Sequence, residues 1–190
     1  MKGNVRVIMF ASRNKDNHKI SYFRERHKIF ISDLDDEQLK IKFDEFVSKG
    51  QFGEMSRMYA SVNYRDMSKV HSAFLHYLID HPDTNYCALD GIIAGIAAKK
   101  ENALTRRWMF DFDVNNAAIA DQFCKELSTI DDTLNPVKYK TPNGYAIIIE
   151  HGFDERRLDP VWKEYDISIK KDDLLCVAWK IHLRKEPNHD

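Results

Sequence analysis

Hydrophobic and polar residues alternate in several short stretches of the chain, and this alternation predicts β-strands. The predicted strands are residues 5–11, 57–63, 106–114, 137–140, 145–151, 162–169 and 174–181, each of ordinary strand length. In the second of them, apolar Met58 and Ala60 fall on one face while Arg57 and Tyr59 fall on the other. Residues 20–31 mix aromatic, aliphatic and basic side chains, and their pattern does not distinguish a strand from a helix.

Apolar residues recur at helical spacing in four other stretches. These predicted helices are residues 34–49, 70–80, 86–100 and 119–127. Ser32 is the expected N-cap of the first, Asp66 or Ser68 of the second, and Asn115 or Asn116 of the last, because short polar side chains satisfy the free N–H groups of a first helical turn.

Turn residues connect the predicted strands in the second half of the chain. Asn143-Gly144 between two β-runs predicts one hairpin, and residues 170–173 are expected to close a second. Residues 12–17 are polar and turn-like, and the tail 184–190 is expected to be frayed. With no linker or repeat, the pattern predicts a single α+β domain over residues 1–190 with a mostly antiparallel sheet, helix-rich over about 1–105 and strand-rich over about 106–183.

Composition narrows the class of protein. Of the 190 residues, 43% are hydrophobic and 31% are charged, as in soluble globular proteins. No apolar run approaches the ~18–20 residues of a membrane span, and no signal peptide is evident, so we expect a cytoplasmic protein without a membrane partner. The formal net charge of −1 shows no overall basic excess, although a local basic groove stays compatible with it.

The thiols and imidazoles suggest no metal site. Cys87, Cys124 and Cys176 are far apart and form no C-x-x-C pair, so neither a zinc knuckle nor a disulfide framework is indicated. Their apolar surroundings are typical of buried thiols in a reducing compartment. The eight histidines show no H-E-x-x-H spacing.

Residues 108–114, WMFDFDV, contain the chain's strongest candidate chemistry. In a strand, Asp111 and Asp113 share a face, while Phe110 and Phe112 share the opposite one. Two neighbouring carboxylates repel each other, and a bound Mg²⁺ or Mn²⁺ would offset that repulsion. An isolated D-x-D is more typical of an edge strand whose acidic face is solvated.

Two stretches together resemble a known family. Residues 108–114 resemble the first motif of archaeo-eukaryotic primases and primase-polymerases, an apolar strand ending in D-x-D. Residues 140–150, KTPNGYAIIIE, resemble the second motif in their T-x-N-G-aromatic core. The family also carries basic and polar groups on an earlier strand, like Arg57, Asn63 and Arg65 here, so the resemblance covers about residues 57–177.

The resemblance has one departure and one open assignment. The family's second-motif histidine, which contacts nucleotide phosphates, would stand at Ala146. Either this chain is a natural degenerate member, or the alanine is a deliberate change that traps a complex. A third carboxylate normally follows on a later strand or hairpin. Asp172 and Asp173 are both placed for it, and Asp173 is taken as the third ligand.

The resemblance implies a fold, a metal centre and a phosphate site. The fold would be an RRM-like, mostly antiparallel sheet with flanking helices. Asp111, Asp113 and Asp173 would hold Mg²⁺ or Mn²⁺ and carry catalysis. The residues implied in nucleotide and phosphate binding are Arg57, Asn63, Arg65, Lys138, Lys140, Thr141, Asn143, Gly144 and, at the histidine position, Ala146.

Three functions are compatible with these motifs. The first is a metal-dependent nucleotidyltransferase that acts on a nucleoside triphosphate and a DNA or RNA end, with activity impaired by Ala146. The second is a non-catalytic nucleotide or nucleic-acid binding module on the same fold, and the third is a metal-dependent phosphodiesterase. Because this compact chain lacks the accessory regions of larger members, it would need a protein partner or a restricted substrate. Its size is compatible with a phage or mobile-element origin.

Overall fold

The computed structural model describes residues 4–165 and 167–183. The strands are β1 (Asn4–Ser12), β2 (Arg26–Ser32), β3 (Met55–Ser61), β4 (Arg65–Asp66), β5 (Trp108–Phe112), β6 (Val137–Lys140), β7 (Tyr145–Ile149), β8 (Ile167–Lys170) and β9 (Leu174–Ile181). The α-helices are α1 (Asn14–Asn17), α2 (Asp36–Ser48), α3 (Met67–Asp80), α4 (Leu89–Ala97) and α5 (Ala117–Ile130). Short 3₁₀ turns cover Tyr86–Ala88, Lys100–Asn102, Asp132–Leu134, Glu155–Arg157 and Pro160–Glu164.

The strands form two sheets, and every pairing between the named strands is antiparallel. The first sheet has the order β2-β1-β3-β9, with β4 also paired to β1. The second sheet has the order β6-β7-β5-β8. The α+β prediction is therefore confirmed, with two sheets where a single one was expected.

Helices cover both faces of the first sheet. Phe10 of β1 packs against Phe43 of α2 on one face, with ring centroids 5.4 Å apart. On the other face Val7 packs with Val70 of α3 and Ala94 of α4. All five side chains are almost completely buried, as expected for a sheet whose strands are apolar on both faces.

The second sheet has α5 on one face and the first sheet next to the other. Phe123 of α5 lies edge-on to Phe110 and Phe112 of β5, with centroids 5.0 and 4.9 Å away. On the opposite face, Met109 belongs to a small buried cluster with Leu175 of β9. The two sheets therefore meet where β5 faces β9, an edge strand of the first sheet.

The first long helix begins later than predicted. Asp35 is its N-cap, and it forms a capping box with Gln38 in which each side chain bonds the other residue's backbone N–H. Ser32 instead ends β2 and accepts a hydrogen bond from the Leu34 N–H over 3.1 Å. The prediction was wrong because two capping signals lie three residues apart, and the capping box is the stronger one.

The expected final hairpin does not form. Residues 160–164 are a 3₁₀ turn, so β8 is shorter than predicted. Strand β8 pairs with β5 in the second sheet, while β9 pairs with β3 in the first. The short turn between them therefore crosses from one sheet to the other.

Three further predictions concern residues 20–31, residues 12–17 and the tail. The undecided stretch 20–31 holds all of β2 except Ser32, and the turn at 12–17 contains the short helix α1. The tail 184–190 lies outside the described residues.

Within residues 4–165 and 167–183, no helix has both the length and the apolar character needed to cross a bilayer.

Candidate functional site

The two faces of β5 have different partners. Phe110 and Phe112 are fully buried against α5. Asp111 is partly buried on the other face, and Asp113 is exposed just beyond the end of the strand. The alternation predicted from the sequence is therefore confirmed.

Sheet register places Ala146 directly beside Asp111. The row of paired residues across the second sheet is Tyr139, Ala146, Asp111 and Ser168. Neighbouring strands are ~4.8 Å apart, so any side chain at position 146 would be adjacent to the Asp111 carboxylate. Ala146 itself is only 1% exposed.

A small cavity lies between the two sheets at this point. Its volume is about 180 Å³. It is lined by Arg13, Lys15, Arg57, Tyr59, Met109, Asp111, Asp113, Thr141, Pro142, Asn143, Ala146, Leu174, Leu175 and Cys176. We call it the Asp111 cavity. Typical pockets for whole small molecules are larger, from ~300 Å³, so the enclosed space suits a phosphate group or a cation with the rest of a ligand outside.

Cations from two segments face the carboxylates across this cavity. Arg57 comes from β3, and Arg13 and Lys15 come from the segment around α1. Asp16 orients both arginines, accepting from Arg57 Nη2 and from Arg13 Nε and Nη2, the latter two over 3.1 and 3.0 Å. The Asp111 cavity therefore has acidic groups at the end of β5 and basic groups from β3 and the segment around α1.

Arg57 retains an unused hydrogen-bond donor. Its side chain is 8% exposed, and its Nε is buried with no hydrogen-bond partner in the described part of the chain. An unsatisfied donor on a buried charged group costs free energy that a bound acceptor would recover. This orphaned donor is compatible with an anionic ligand beside Arg57.

Burial raises the pKa of two side chains in the wall of the cavity. Burial raises the pKa of the Cys176 thiol to about 11, although Arg57 and Arg13 nearby oppose the shift. Burial also raises the pKa of Tyr59 above its usual value, against the effect of Arg13, whose guanidinium lies 5.6 Å from the ring centroid. Both groups are therefore neutral at pH 7 and act as polar, uncharged walls.

The turn 141–144 is shaped by its own hydrogen bonds and by contact with β5. Thr141 Oγ1 accepts from the Gly144 N–H over 3.1 Å, and the Thr141 N–H donates to the Gly144 carbonyl over 3.0 Å. A Cβ on Gly144 would lie 2.0 Å from the Phe112 carbonyl oxygen. The need for glycine is thus explained by contact with β5, and the same turn brings Thr141 and Asn143 to the cavity.

Three other residues from the sequence analysis form a separate network. Asp172 accepts two hydrogen bonds from Arg65, over 2.7 and 2.8 Å, and one from Asn63 Nδ2 over 3.2 Å. The Asn63 side-chain oxygen accepts from Thr105 Oγ1 and from the Arg107 N–H. Asn63 and Arg65 therefore bind the turn between β8 and β9 and do not line the Asp111 cavity.

Asp173, Lys138 and Lys140 also lie outside the lining of the Asp111 cavity. Asp173 is exposed, and its carboxylate accepts from the Leu174 N–H over 2.7 Å. Lys138 and Lys140 flank Tyr139 and so lie on the face of β6 opposite to the row that contains Asp111. Lys138 pairs with Asp121 of α5, and Lys140 donates to Asn115.

The donor set fits a magnesium-type site that a ligand completes. No cluster of three or more histidine, cysteine or carboxylate side chains suited to a metal ion occurs among residues 4–165 and 167–183. Mg²⁺ is usually bound by one or two carboxylates together with substrate phosphates and water. Asp111 and Asp113 can supply those carboxylates, and the neighbouring cations can hold the phosphates.

Sequence reasoning did not identify four of the residues with polar side chains that line the cavity, namely Arg13, Lys15, Tyr59 and Cys176. Arg13 and Lys15 lie nearly a hundred residues before the D-x-D in the chain, and only the antiparallel pairing of β1 with β3 brings them to Arg57. One signal was present, because two cations directly follow the first predicted strand, where ligand-binding groups often lie.

Comparisons with known proteins add no assignment, since no family model, curated protein or solved structure matches the chain.

Proposed function

We propose that the Asp111 cavity binds the polyphosphate of a nucleoside triphosphate with Mg²⁺ or Mn²⁺, and that the protein is a nucleotidyltransferase of primase-polymerase type whose activity is impaired by Ala146. One observation carries this proposal. Asp111 and Asp113 share a small cavity with Arg13, Lys15 and Arg57, which is the combination of carboxylates and cations that a metal–phosphate complex requires.

Each group has a defined part in this proposal. Asp111 and Asp113 would hold the metal, whose chemistry there would be neutralisation of phosphate charge and activation of an attacking hydroxyl. Arg57 offers planar, charge-assisted hydrogen bonds to phosphate oxygens, and Asp16 fixes its orientation. A DNA or RNA end supplies the hydroxyl that displaces pyrophosphate.

Thermal melting with and without ligand tests the site. We expect Mn²⁺ plus a nucleoside triphosphate to raise Tm by roughly 5 °C or more near 100 times Kd. Neither component alone should do so, because each completes the other's ligand set. Asp111→Asn and Asp113→Asn should abolish the shift, while Asp83→Asn, in an exposed loop, should retain it.

The same assay decides whether Asp173 is a third metal ligand. Asp173 is exposed and outside the Asp111 cavity, so we expect Asp173→Asn to retain the ligand-induced shift. Loss of the shift in Asp173→Asn would restore the third-carboxylate assignment. A cooperatively melting protein without any ligand-induced shift would exclude the triphosphate site altogether.

A second candidate, binding without catalysis, is favoured by Ala146. It occupies the position beside Asp111 in sheet register, and a methyl group can neither donate to phosphate nor transfer a proton. We expect transfer of a labelled nucleotide to a primer end to be undetectable in this chain and measurable in Ala146→His. If Ala146→His keeps the Mn²⁺–triphosphate shift but transfers no nucleotide, the binding module is the better description.

A further inference from the structure

A second cavity lies at the other end of β5. It has a volume of about 690 Å³ and collects side chains from four separate segments of the chain. The residues that matter for its chemistry are Lys69, Lys100, Arg106, Trp108, Lys171 and Asp172. We call it the Trp108 cavity.

The Trp108 cavity is independent of the Asp111 cavity. The two share no lining residue. Trp108 is on the α5 face of β5, as Phe110 is, whereas Asp111 is on the opposite face. Along the strand, three to five residues separate Trp108 from Asp111 and Asp113, which corresponds to roughly 10–16 Å.

Positive charge predominates in the Trp108 cavity. Four cationic side chains line it, against the two carboxylates of Glu101 and Asp172. Asp172 is already neutralised, because Arg65 holds it through two hydrogen bonds. A concave surface with uncompensated positive charge concentrates anions.

Two of these cations are free to bind a ligand. Within the described ranges, neither Arg106 nor Lys100 forms an ion pair or a side-chain hydrogen bond. Lys171 pairs with Glu155 over 3.2 Å, but both side chains are more than 40% exposed. Such an exposed pair contributes little free energy, so a stronger anion can displace Glu155.

Aromatic rings form one wall of the cavity and limit the class of ligand. The Trp108 and Phe153 rings have centroids 6.2 Å apart, and the Lys171 ammonium lies 4.4 Å from the Trp108 ring. A Cβ on Gly152 would be 2.2 Å from the indole, so the chain leaves room for the ring there by omitting a side chain. An anion with an aromatic ring attached therefore suits this cavity better than a small ion alone.

We propose that the Trp108 cavity is a second ligand site and binds a phosphate group carried by a nucleotide, either a free nucleotide or one unit of a nucleic-acid strand. Arg106 contacts the phosphate through its guanidinium, with Lys100 and Lys171 adding charge. The nucleotide ring contacts the wall formed by Trp108 and Phe153. The site needs no divalent cation, in contrast to the proposed use of the Asp111 cavity.

The test is a titration without divalent cations at constant ionic strength. The ligands are inorganic phosphate, AMP and an eight-nucleotide single strand, and binding is followed by calorimetry and tryptophan fluorescence. We expect AMP or the strand to bind and to change the fluorescence of Trp108, because the phosphate draws Lys171 from the ring. Trp108→Phe should remove the fluorescence change while calorimetry still detects binding.

Charge-matched variants separate a specific site from general attraction. Removing Arg106 and Lys100 together, as Arg106→Ala with Lys100→Ala, should weaken binding about tenfold or more. The control, Lys42→Ala with Lys125→Ala, removes the same charge from exposed positions on α2 and α5 and should change affinity less than twofold.

The relative affinities for AMP and for the single strand identify the source of the phosphate. Binding of AMP as tightly as the strand indicates a free nucleotide, whereas binding of the strand alone indicates nucleic acid. The proposal is overturned if no phosphate compound binds, if inorganic phosphate binds as well as both nucleotide ligands, or if both double variants weaken binding equally. If Mn²⁺ plus a triphosphate fails to raise the Tm of the unmodified protein, the proposed function is refuted. Binding of a nucleotide at the Trp108 cavity is not affected by that outcome.

Discussion

Gly144 lies so close to β5 that its lack of a side chain determines the local packing. A Cβ there would be 2.0 Å from the Phe112 carbonyl oxygen and 3.1 Å from the Val114 nitrogen. Both contacts are with backbone, which cannot move aside as a flexible side chain can. We expect Gly144→Ala to lower the free energy of unfolding by about 3 kcal/mol or more, measured by urea denaturation.

Gly95 provides the matched control for Gly144→Ala. It lies inside α4, and a Cβ there would meet no atom within 4 Å. Because alanine is the better helix former, Gly95→Ala should raise the free energy of unfolding by about 0.5–1 kcal/mol. Equal effects of the two changes would show that glycine at position 144 is dispensable.

Individual residues also show what the sequence could predict about the site. The D-x-D carboxylates and the hairpin turn at Asn143-Gly144 were predicted from local spacing, because alternation and turn chemistry are properties of neighbouring residues. The phosphate-binding role of Thr141 and Asn143 was implied only by the family resemblance. Arg57 was found from its polar strand face. Arg13 and Lys15 were not, because their place beside Arg57 depends on strand pairing, which local spacing does not encode.

At the scale of elements, the positions of the strands along the chain were predicted better than the pairing between strands. The hairpin of β6 and β7 formed as Asn143-Gly144 indicated. Lys138 and Lys140 nevertheless lie on the α5 side, because register places Tyr139 in the row with Asp111. Strands β8 and β9 have the pattern of a hairpin but pair in different sheets, which depends on contacts distant in sequence.

Glu54 links β2 to the loop that precedes β3 and gives stability a dependence on pH. It lies just before β3, accepts from Arg26 of β2 over 3.0 Å, and accepts from the Gln51 N–H over 2.7 Å. Burial pushes the pKa of Glu54 up, but the hydrogen bonds from Gln51 and Arg26 outweigh it and hold the pKa below its usual value. The folded state therefore favours the ionised carboxylate.

The lowered pKa of Glu54 determines how the free energy of unfolding should vary with pH. A lowered pKa in the folded state stabilises the fold above the unfolded pKa of ~4.3, and this contribution is lost as pH falls through the folded pKa. At pH 7, Glu54→Gln should cost about 2 kcal/mol in urea denaturation, and the difference from wild type should shrink in acid below about pH 4. The control Glu45→Gln, exposed on α2, should change the free energy of unfolding at pH 7 by less than about 0.5 kcal/mol.

At the scale of the whole molecule, the candidate site depends on how two sheets are held together. The Asp111 cavity is lined from both sheets, and a buried cluster including Met109 and Leu175 lies between them. The turn from β8 to β9 carries the chain across this junction. The position of this turn therefore affects the geometry of the site, although Asp172 in the turn does not line the Asp111 cavity.

Asp172 anchors that turn to the first sheet. Its partner Arg65, in β4, is 2% exposed, and the two groups form paired hydrogen bonds of 2.7 and 2.8 Å. Removing one partner of a buried ion pair leaves an uncompensated charge, which costs about 3–5 kcal/mol. We expect Asp172→Ala to lower the free energy of unfolding by that amount in urea denaturation.

Two comparisons distinguish an anchoring ion pair from an ordinary one. Asp36→Ala breaks a pair in which the carboxylate is 88% exposed, and should cost less than about 1 kcal/mol. Arg65→Met combined with Asp172→Ala should cost less than Asp172→Ala alone, because no buried charge is then left without a partner. If the double variant is as unstable as the single one, the loss comes from contacts of the turn itself, and the ion pair does not hold the two sheets together.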